Sequence, residues 1–144
     1  MNARIVGLTQ IRGKGGPYAT LTQAVLIQGL GMQGNLYQGG ERQLSLLSLE
    51  TRQWMNTQTP KGLCFGRFHE NILTEGIILE DLAPGCHLRI GETILRISMQ
   101  TRHCYRDCVL FSQGTECRLS TNAVFATVEQ SGLACIGDVI SLVP

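Results

Sequence analysis

Apolar positions along the chain come in short runs separated by glycine, the signature of strands joined by tight turns. Arg4 to Thr9 reads as a first strand and Leu21 to Gln28 as a second, with the flexible, basic loop Arg12 to Pro17 between them. Gly29 to Gly40 is rich in glycine and has no clear period, so it reads as a loop. Gln43 to Leu47 is a short apolar strand, and its alternation puts Gln43 and Ser45 on one face. Ser48 then sits where an N-cap belongs, with Glu50 in the first turn of a helix running to Met55. The stretch Thr59-Pro60-Lys61-Gly62 breaks the chain, and Phe65 to Thr74 carries no clean period.

Two later segments look alike. Pro84 to Ile97 and Ser131 to Leu142 each run from a strand through Gly91-Glu92 or Gly137-Asp138 into an alternating strand. A glycine beside an acid between two such runs is a hairpin signal, because glycine takes the turn geometry and the carboxylate bonds nearby backbone. Two hairpins of this kind predict a mainly β fold, a closed or partly open β-barrel with a few short helices, since closure removes exposed strand edges. No linker or low-complexity segment divides residues 1–144, which are expected to form a single domain.

Composition narrows the classes of function. With 43% hydrophobic and 16% charged residues the chain is globular, and with 6% aromatics its core must rest on Leu, Ile and Val. A net charge of +1 gives no footprint for nucleic acid. Ten of the 12 basic residues are Arg, a side chain suited to bidentate contact with phosphate or carboxylate, although Arg-rich codon usage produces the same bias. No apolar run reaches the ~20 residues of a bilayer span, and Met1 to Gly7 lacks a signal-peptide core. A cytoplasmic setting with no membrane contact is expected, so the six cysteines are expected to be thiols or ligands. Cys86 and Cys135 fall in strand-like contexts and read as core residues.

The chemistry concentrates in Gln100-Thr101-Arg102-His103-Cys104-Tyr105-Arg106-Asp107-Cys108, followed by Glu116-Cys117-Arg118. Cations beside a thiol stabilise the thiolate, and Cys104 has Arg102, His103 and Arg106 close in sequence. Such a thiolate suits a nucleophile, a persulfide carrier or a soft-metal ligand. The same residues also read as a zinc site, with His103, Cys104, Cys108 and Cys117 as donors, though the C-x3-C spacing departs from the usual knuckle. In a third reading the cysteines are small buried hydrophobes. Elsewhere, Gly7 to Gly15 fails as a phosphate-binding P-loop because its glycine spacing is one too long and Gly15 stands where Ser or Thr must be. Its backbone and Lys14 remain able to meet an anion, or to form a plain solvated turn. Glu70-Asn71 interrupts an apolar stretch and reads as a structural cap or as part of a pocket.

These pieces together resemble a known family. Gly31-Met32-Gln33-Gly34-Asn35, Arg42-Gln43-Leu44-Ser45-Leu46-Leu47 and Gly66-Arg67-Phe68-His69-Glu70-Asn71-Ile72-Leu73-Thr74-Glu75-Gly76-Ile77 come first. Leu88-Arg89-Ile90-Gly91, the cysteine segment, Val124-Phe125-Ala126 and Gly137-Asp138 follow. In this order they resemble MOSC domains, found at the C-terminus of molybdenum-cofactor sulfurases and as small stand-alone bacterial proteins. The resemblance implies a β-barrel of pyruvate-kinase type with short helices. It implies that Cys104 is the family's cysteine, which carries sulfane sulfur or ligates molybdenum. It places Arg42, Gln43, Ser45, Glu70 and Asn71 in pocket-lining motifs, with a pterin phosphate as the natural partner of Arg42, and Arg102 and His103 beside the cysteine. The family's glycine loop usually reads Gly-Asp-x-His; here Asn35 and Tyr37 replace the acid and the histidine.

The resemblance implies a sulfur carrier or a protein that binds the molybdenum cofactor (molybdopterin). Its partner would be a pyridoxal-phosphate-dependent cysteine desulfurase or a molybdenum-cofactor enzyme. One alternative is an enzyme, a molybdenum-dependent reductase of N-hydroxylated compounds, which needs an electron-donating partner. The other is a non-catalytic module that binds zinc or is purely structural.

Overall fold

The computed structural model describes residues 3–58, 68–99 and 122–144. Its strands are β1 (Ala3–Ile11), β2 (Tyr18–Leu21), β3 (Gln23–Ile27), β4 (Gly31–Met32), β5 (Leu44–Ser48), β6 (Ile72–Glu75), β7 (His87–Ile90), β8 (Thr93–Met99), β9 (Val124–Gln130), β10 (Gly132–Cys135) and β11 (Val139–Val143), with a helix α1 (Leu49–Thr57) and a 3-10 turn at Leu79–Asp81. The main sheet runs β11-β7-β8-β9-β5-β6-β1, and β1 pairs back to β11, so seven strands close a barrel. The predicted mainly β barrel is therefore what forms.

Strand β1 makes closure possible by serving three partners. Its start pairs with β11 (Arg4 opposite Val139), its middle with β6, and its end with β2 (Gln10 opposite Ala19). The register against β6 shifts between Ile5 and Gly7, and a Cβ on Gly7 would lie 3.1 Å from Leu73 Cβ. Glycine at this irregularity lets the two strands stay close.

The inward residues of alternating strands fill the barrel. Ile5, Leu8, Leu46, Ile72, Leu95 and Val128 are fully buried there, and the aliphatic core follows from the scarcity of aromatics. A second cluster of Leu47, Met55, Phe68, Ala123 and Phe125 lies between α1 and the outer face of β5 and β9. It explains why every residue of β5 is buried: one face looks into the barrel and the other lies under this cluster. The helix begins as expected, with Ser48 Oγ accepting from Thr51 N at 3.1 Å. It links β5 to β6, which run parallel.

Two expectations are corrected. Pro84–Ile97 does hold a hairpin, β7 with β8, but Ser131–Leu142 does not. The chain reverses at Gly137, and Asp138 Oδ2 accepts from Cys135 N at 2.8 Å as the motif predicts. The backbone of β1 then enters the turn: Ile5 N donates to Asp138 O at 3.0 Å and Gly137 N donates to Ile5 O at 2.9 Å. With that edge taken, β11 joins the barrel, and β10 leaves to pair with β3 in a small sheet β10-β3-β4. Likewise the expected strand Leu21–Gln28 divides at Thr22, because β2 belongs to the barrel and β3 to the small sheet.

Candidate functional site

The floor of the site is a side-chain network where β1, β5 and β6 meet. Asn71 precedes β6, and its backbone N–H donates to Ser45 O at 2.9 Å. Its Oδ1 accepts from Ser45 N at 3.0 Å, and its Nδ2 donates to Thr9 O and to Asn35 Oδ1, both at 3.1 Å. Asn35 Oδ1 also accepts from Ile11 N at 2.9 Å, and Asn35 Nδ2 donates to Tyr37 O at 3.1 Å. Ser45 Oγ has two acceptors in reach, His69 O at 3.3 Å and Asn71 Oδ1 at 3.2 Å. Ser45, Asn71 and Asn35 are all buried. A buried amide with every donor and acceptor engaged is locked in place.

Above this floor opens a cleft of about 580 Å³. Lys14 reaches it from the β1–β2 loop and Arg42 from the segment leading into β5, while Tyr18, Tyr37, His69 and Phe125 give it aromatic walls. The Tyr18 and His69 rings stack with centroids 3.7 Å apart and planes 24° apart. The Arg42 guanidinium carbon lies 5.1 Å from the Phe125 ring centroid, a cation–π distance. Neither Lys14 nor Arg42 has a carboxylate partner among the described residues. The cleft thus offers two cations and several flat apolar faces, and it suits a planar ring system carrying an anionic group.

Of the residues singled out by sequence, Arg42, Ser45 and Asn71 come together on this cleft. Gln43 and Glu70 engage the protein itself. Gln43 Oε1 accepts from Val128 N at 2.9 Å and its Nε2 donates to Gly40 O at 3.1 Å. Glu70 forms an ion pair with Arg52 of α1, whose guanidinium also lies 3.5 Å from Phe68 O. Arg52 therefore braces both neighbours of His69. Cys104, Arg102 and His103 lie outside the described residues, as do Cys108 and Cys117. Cys86 and Cys135 are free thiols, each partly buried. Burial pushes the Cys86 thiol above its ordinary value, against a smaller opposing effect of a backbone hydrogen bond.

Sequence reasoning left Tyr18, Phe125 and Arg52 unassigned. The only available signal was an aromatic at the start of β2 and another among the apolar residues of β9, and such residues are usually core. Among the described residues no group of three His, Cys, Asp or Glu is placed to hold a metal ion, and no helix is long and apolar enough to cross a membrane.

The class is a small β-barrel with a cationic, aromatic cleft at the strand ends, and comparison with known proteins makes it specific. The MOSC domain model matches residues 18–141, so the chain belongs to the MOSC domain family. The structure is similar to that of the YuaD protein from Bacillus subtilis, with a TM-score of 0.73 at 20% identity, covering 97% of this chain and 94% of that one. It is also similar to YiiM from Escherichia coli, with a TM-score of 0.65 at 18% identity, covering 98% of this chain and 70% of that one. At these identities the likeness concerns the fold. Among curated proteins no sequence matches the chain significantly.

Proposed function

We propose that this MOSC domain binds a phosphate-bearing pterin cofactor of molybdenum in the cleft and presents Cys104 to it, or to sulfane sulfur, as a carrier. The observation that carries this reading is the cleft itself: Arg42 and Lys14 without carboxylate partners among the described residues, set beside the Tyr18–His69 stack and Phe125. The donor chemistry fits the group. Arginine and lysine suit a phosphate monoester, the aromatic faces suit a pterin ring, and the Ser45 hydroxyl is a polar group on the floor. When bound, the cofactor would supply a molybdenum centre with soft sulfur ligands and two-electron redox chemistry.

The chain's own residues would do the rest. Arg42 and Lys14 would hold the phosphate, and the aromatic walls would orient the ring and keep water from its faces. The buried Asn71–Asn35 pair keeps the floor from shifting as the ligand enters. For sulfur transfer, the Cys104 thiolate would attack the outer sulfur of a persulfide on a cysteine desulfurase. A new S–S bond forms as the donor's S–S bond breaks, and the donor thiolate leaves, so no external oxidant is required.

The test is native purification followed by metal analysis and pterin fluorescence of the released ligand. Molybdenum with pterin supports the reading, and stoichiometric zinc without pterin overturns it in favour of a metal-binding structural module. Incubation with a desulfurase and cysteine is then expected to add the mass of one sulfur atom to Cys104, and Cys104→Ser is expected to abolish the addition. Sulfur appearing only on other cysteines would remove Cys104 from its assigned role.

A further inference from the structure

Arg42 is exposed at the edge of the cleft, yet its guanidinium lies over the Phe125 ring rather than ranging through solvent. A free arginine side chain carries much rotamer entropy, which an anion would have to overcome if nothing fixed the arm beforehand. Both sequence neighbours of Arg42 are anchored to the sheet. The β5–β9 ladder ends at Leu44 opposite Ala126. Beyond it, Val128 N donates to the Gln43 side chain at 2.9 Å, and Gln43 Nε2 donates to Gly40 O at 3.1 Å. Gln43 is 4% exposed, so its amide continues the ladder by one rung in a buried setting. Gly31 allows this close approach, since a Cβ there would lie 3.0 Å from Gln43 O, and its φ of +117° suits glycine.

On the other side, Glu41 is held to β8. Arg96 Nη2 donates to its carboxylate at 3.2 Å, and Ser98 Oγ donates to its backbone oxygen. Arg96 also lies 3.6 Å from Glu129 on β9. Arg42 is thus flanked by one anchor to β8 and one to β9, and Phe125, over which it lies, belongs to β9.

We propose that Gln43 is the positioning residue of the cleft: its amide, with Glu41 as a second anchor, holds Arg42 over Phe125 as a preset anion-binding arm. Gln43 does not itself contact the ligand. The proposal rests on the reading that Arg42 meets an anionic group, and it adds the device that places it. Preorganisation of this kind raises affinity by removing the cost of ordering the arm.

The experiment uses the full chain, with inorganic phosphate as the probe. The Arg42 side-chain proton resonances are expected to be displaced by the Phe125 ring current, an assignment checked with Phe125→Leu. Gln43→Met is expected to abolish that displacement and to weaken phosphate binding roughly tenfold, on the scale of one charge-assisted hydrogen bond. Glu41→Ala changes a largely exposed side chain, so the variant is expected to fold, and it should reduce both signals in the same direction. If Gln43→Met fails to fold, Gln43→Glu, which keeps the acceptor for Val128 N and loses the donor to Gly40 O, is expected to reduce both signals in its place. Retention of wild-type ring-current displacement and affinity in a folded variant, with loss only of melting temperature, would overturn the proposal. If the wild-type protein binds no phosphate, the anion reading of the cleft falls, while the ring-current comparison still tells whether Gln43 places Arg42.

Discussion

Asn71 and Asn35, distant in sequence, meet amide to amide: Nδ2 of the first donates to Oδ1 of the second at 3.1 Å in the buried floor of the cleft. Between them they satisfy backbone groups of Thr9, Ile11, Ser45 and Tyr37, so one small network ties β1, β5, the start of β6 and the glycine loop together. Asn71→Leu is expected to lower stability by about 2–4 kcal/mol, because several buried donors and acceptors lose their partner at once. Urea unfolding followed by tryptophan fluorescence checks this; a loss under ~1 kcal/mol would mean that water replaces the amide at little cost.

Asn35→Asp tests the departure from the family's usual acid. An aspartate keeps the acceptor for Ile11 N but faces the Tyr37 carbonyl oxygen with a second oxygen where an N–H now donates. The variant is expected to be less stable than wild type by about 1–2 kcal/mol near neutral pH. Melting temperatures of the two proteins near neutral pH check this; equal values would show that the second oxygen is tolerated.

Removing Arg52 is expected to cost more than neutralising its partner. Their side chains are 23% and 13% exposed, and Arg52→Met leaves the Glu70 carboxylate partly buried without its cation, a loss of about 2–3 kcal/mol. Glu70→Gln keeps an acceptor for the guanidinium and should cost roughly half as much. Equal costs for the two variants, by denaturant unfolding, would show that the pair is solvated.

Cys86 is expected to alkylate slowly. Burial disfavours its thiolate, and the thiolate is the reactive form. Peptide-resolved iodoacetamide labelling at pH 7.5 should find it slower than free cysteine, with the rate still climbing at pH values where free cysteine has levelled off. The linkage runs the same way: the contribution of this group to stability is present below the unfolded thiol pKa and is lost as pH rises through the raised folded one. A labelling rate equal to that of free cysteine would contradict this.

Arg42→Ala is expected to weaken phosphate binding tenfold or more, and Arg42→Lys to restore part of it as a point charge without the planar fork. Isothermal titration at two salt concentrations measures both; the wild-type affinity should fall with salt more steeply than that of Arg42→Ala.

The barrel was legible because its evidence is local. Alternation in β7 and β8 follows from one face meeting the aliphatic interior, and the Ser48 cap follows from hydroxyl chemistry at a helix start. The false hairpin at Gly137-Asp138 shows where local evidence ends. The turn forms as its residues dictate, but its strands part because β1, from the far end of the sequence, claims the edge. The same division marks the site. Arg42, Ser45 and Asn71 sit in recognisable motifs, whereas the Tyr18–His69 stack and the Arg42–Phe125 contact join residues from separate elements. Only the fold brings those pairs together. Nothing in the sequence marks Arg52 as the partner of Glu70, 18 positions away.

The pairing of Ala3 with Ile140 closes the barrel between positions far apart in the sequence. A growing chain can shape the β7–β8 hairpin early, but it must wait for β11 before the cylinder can seal. Long-range closure of this sort is slow, because loop entropy must be overcome before the contacts form. The seam is therefore where assembly should finish, and in pulse-labelling during refolding the amides that pair β1 with β11 should be the last to gain protection from exchange.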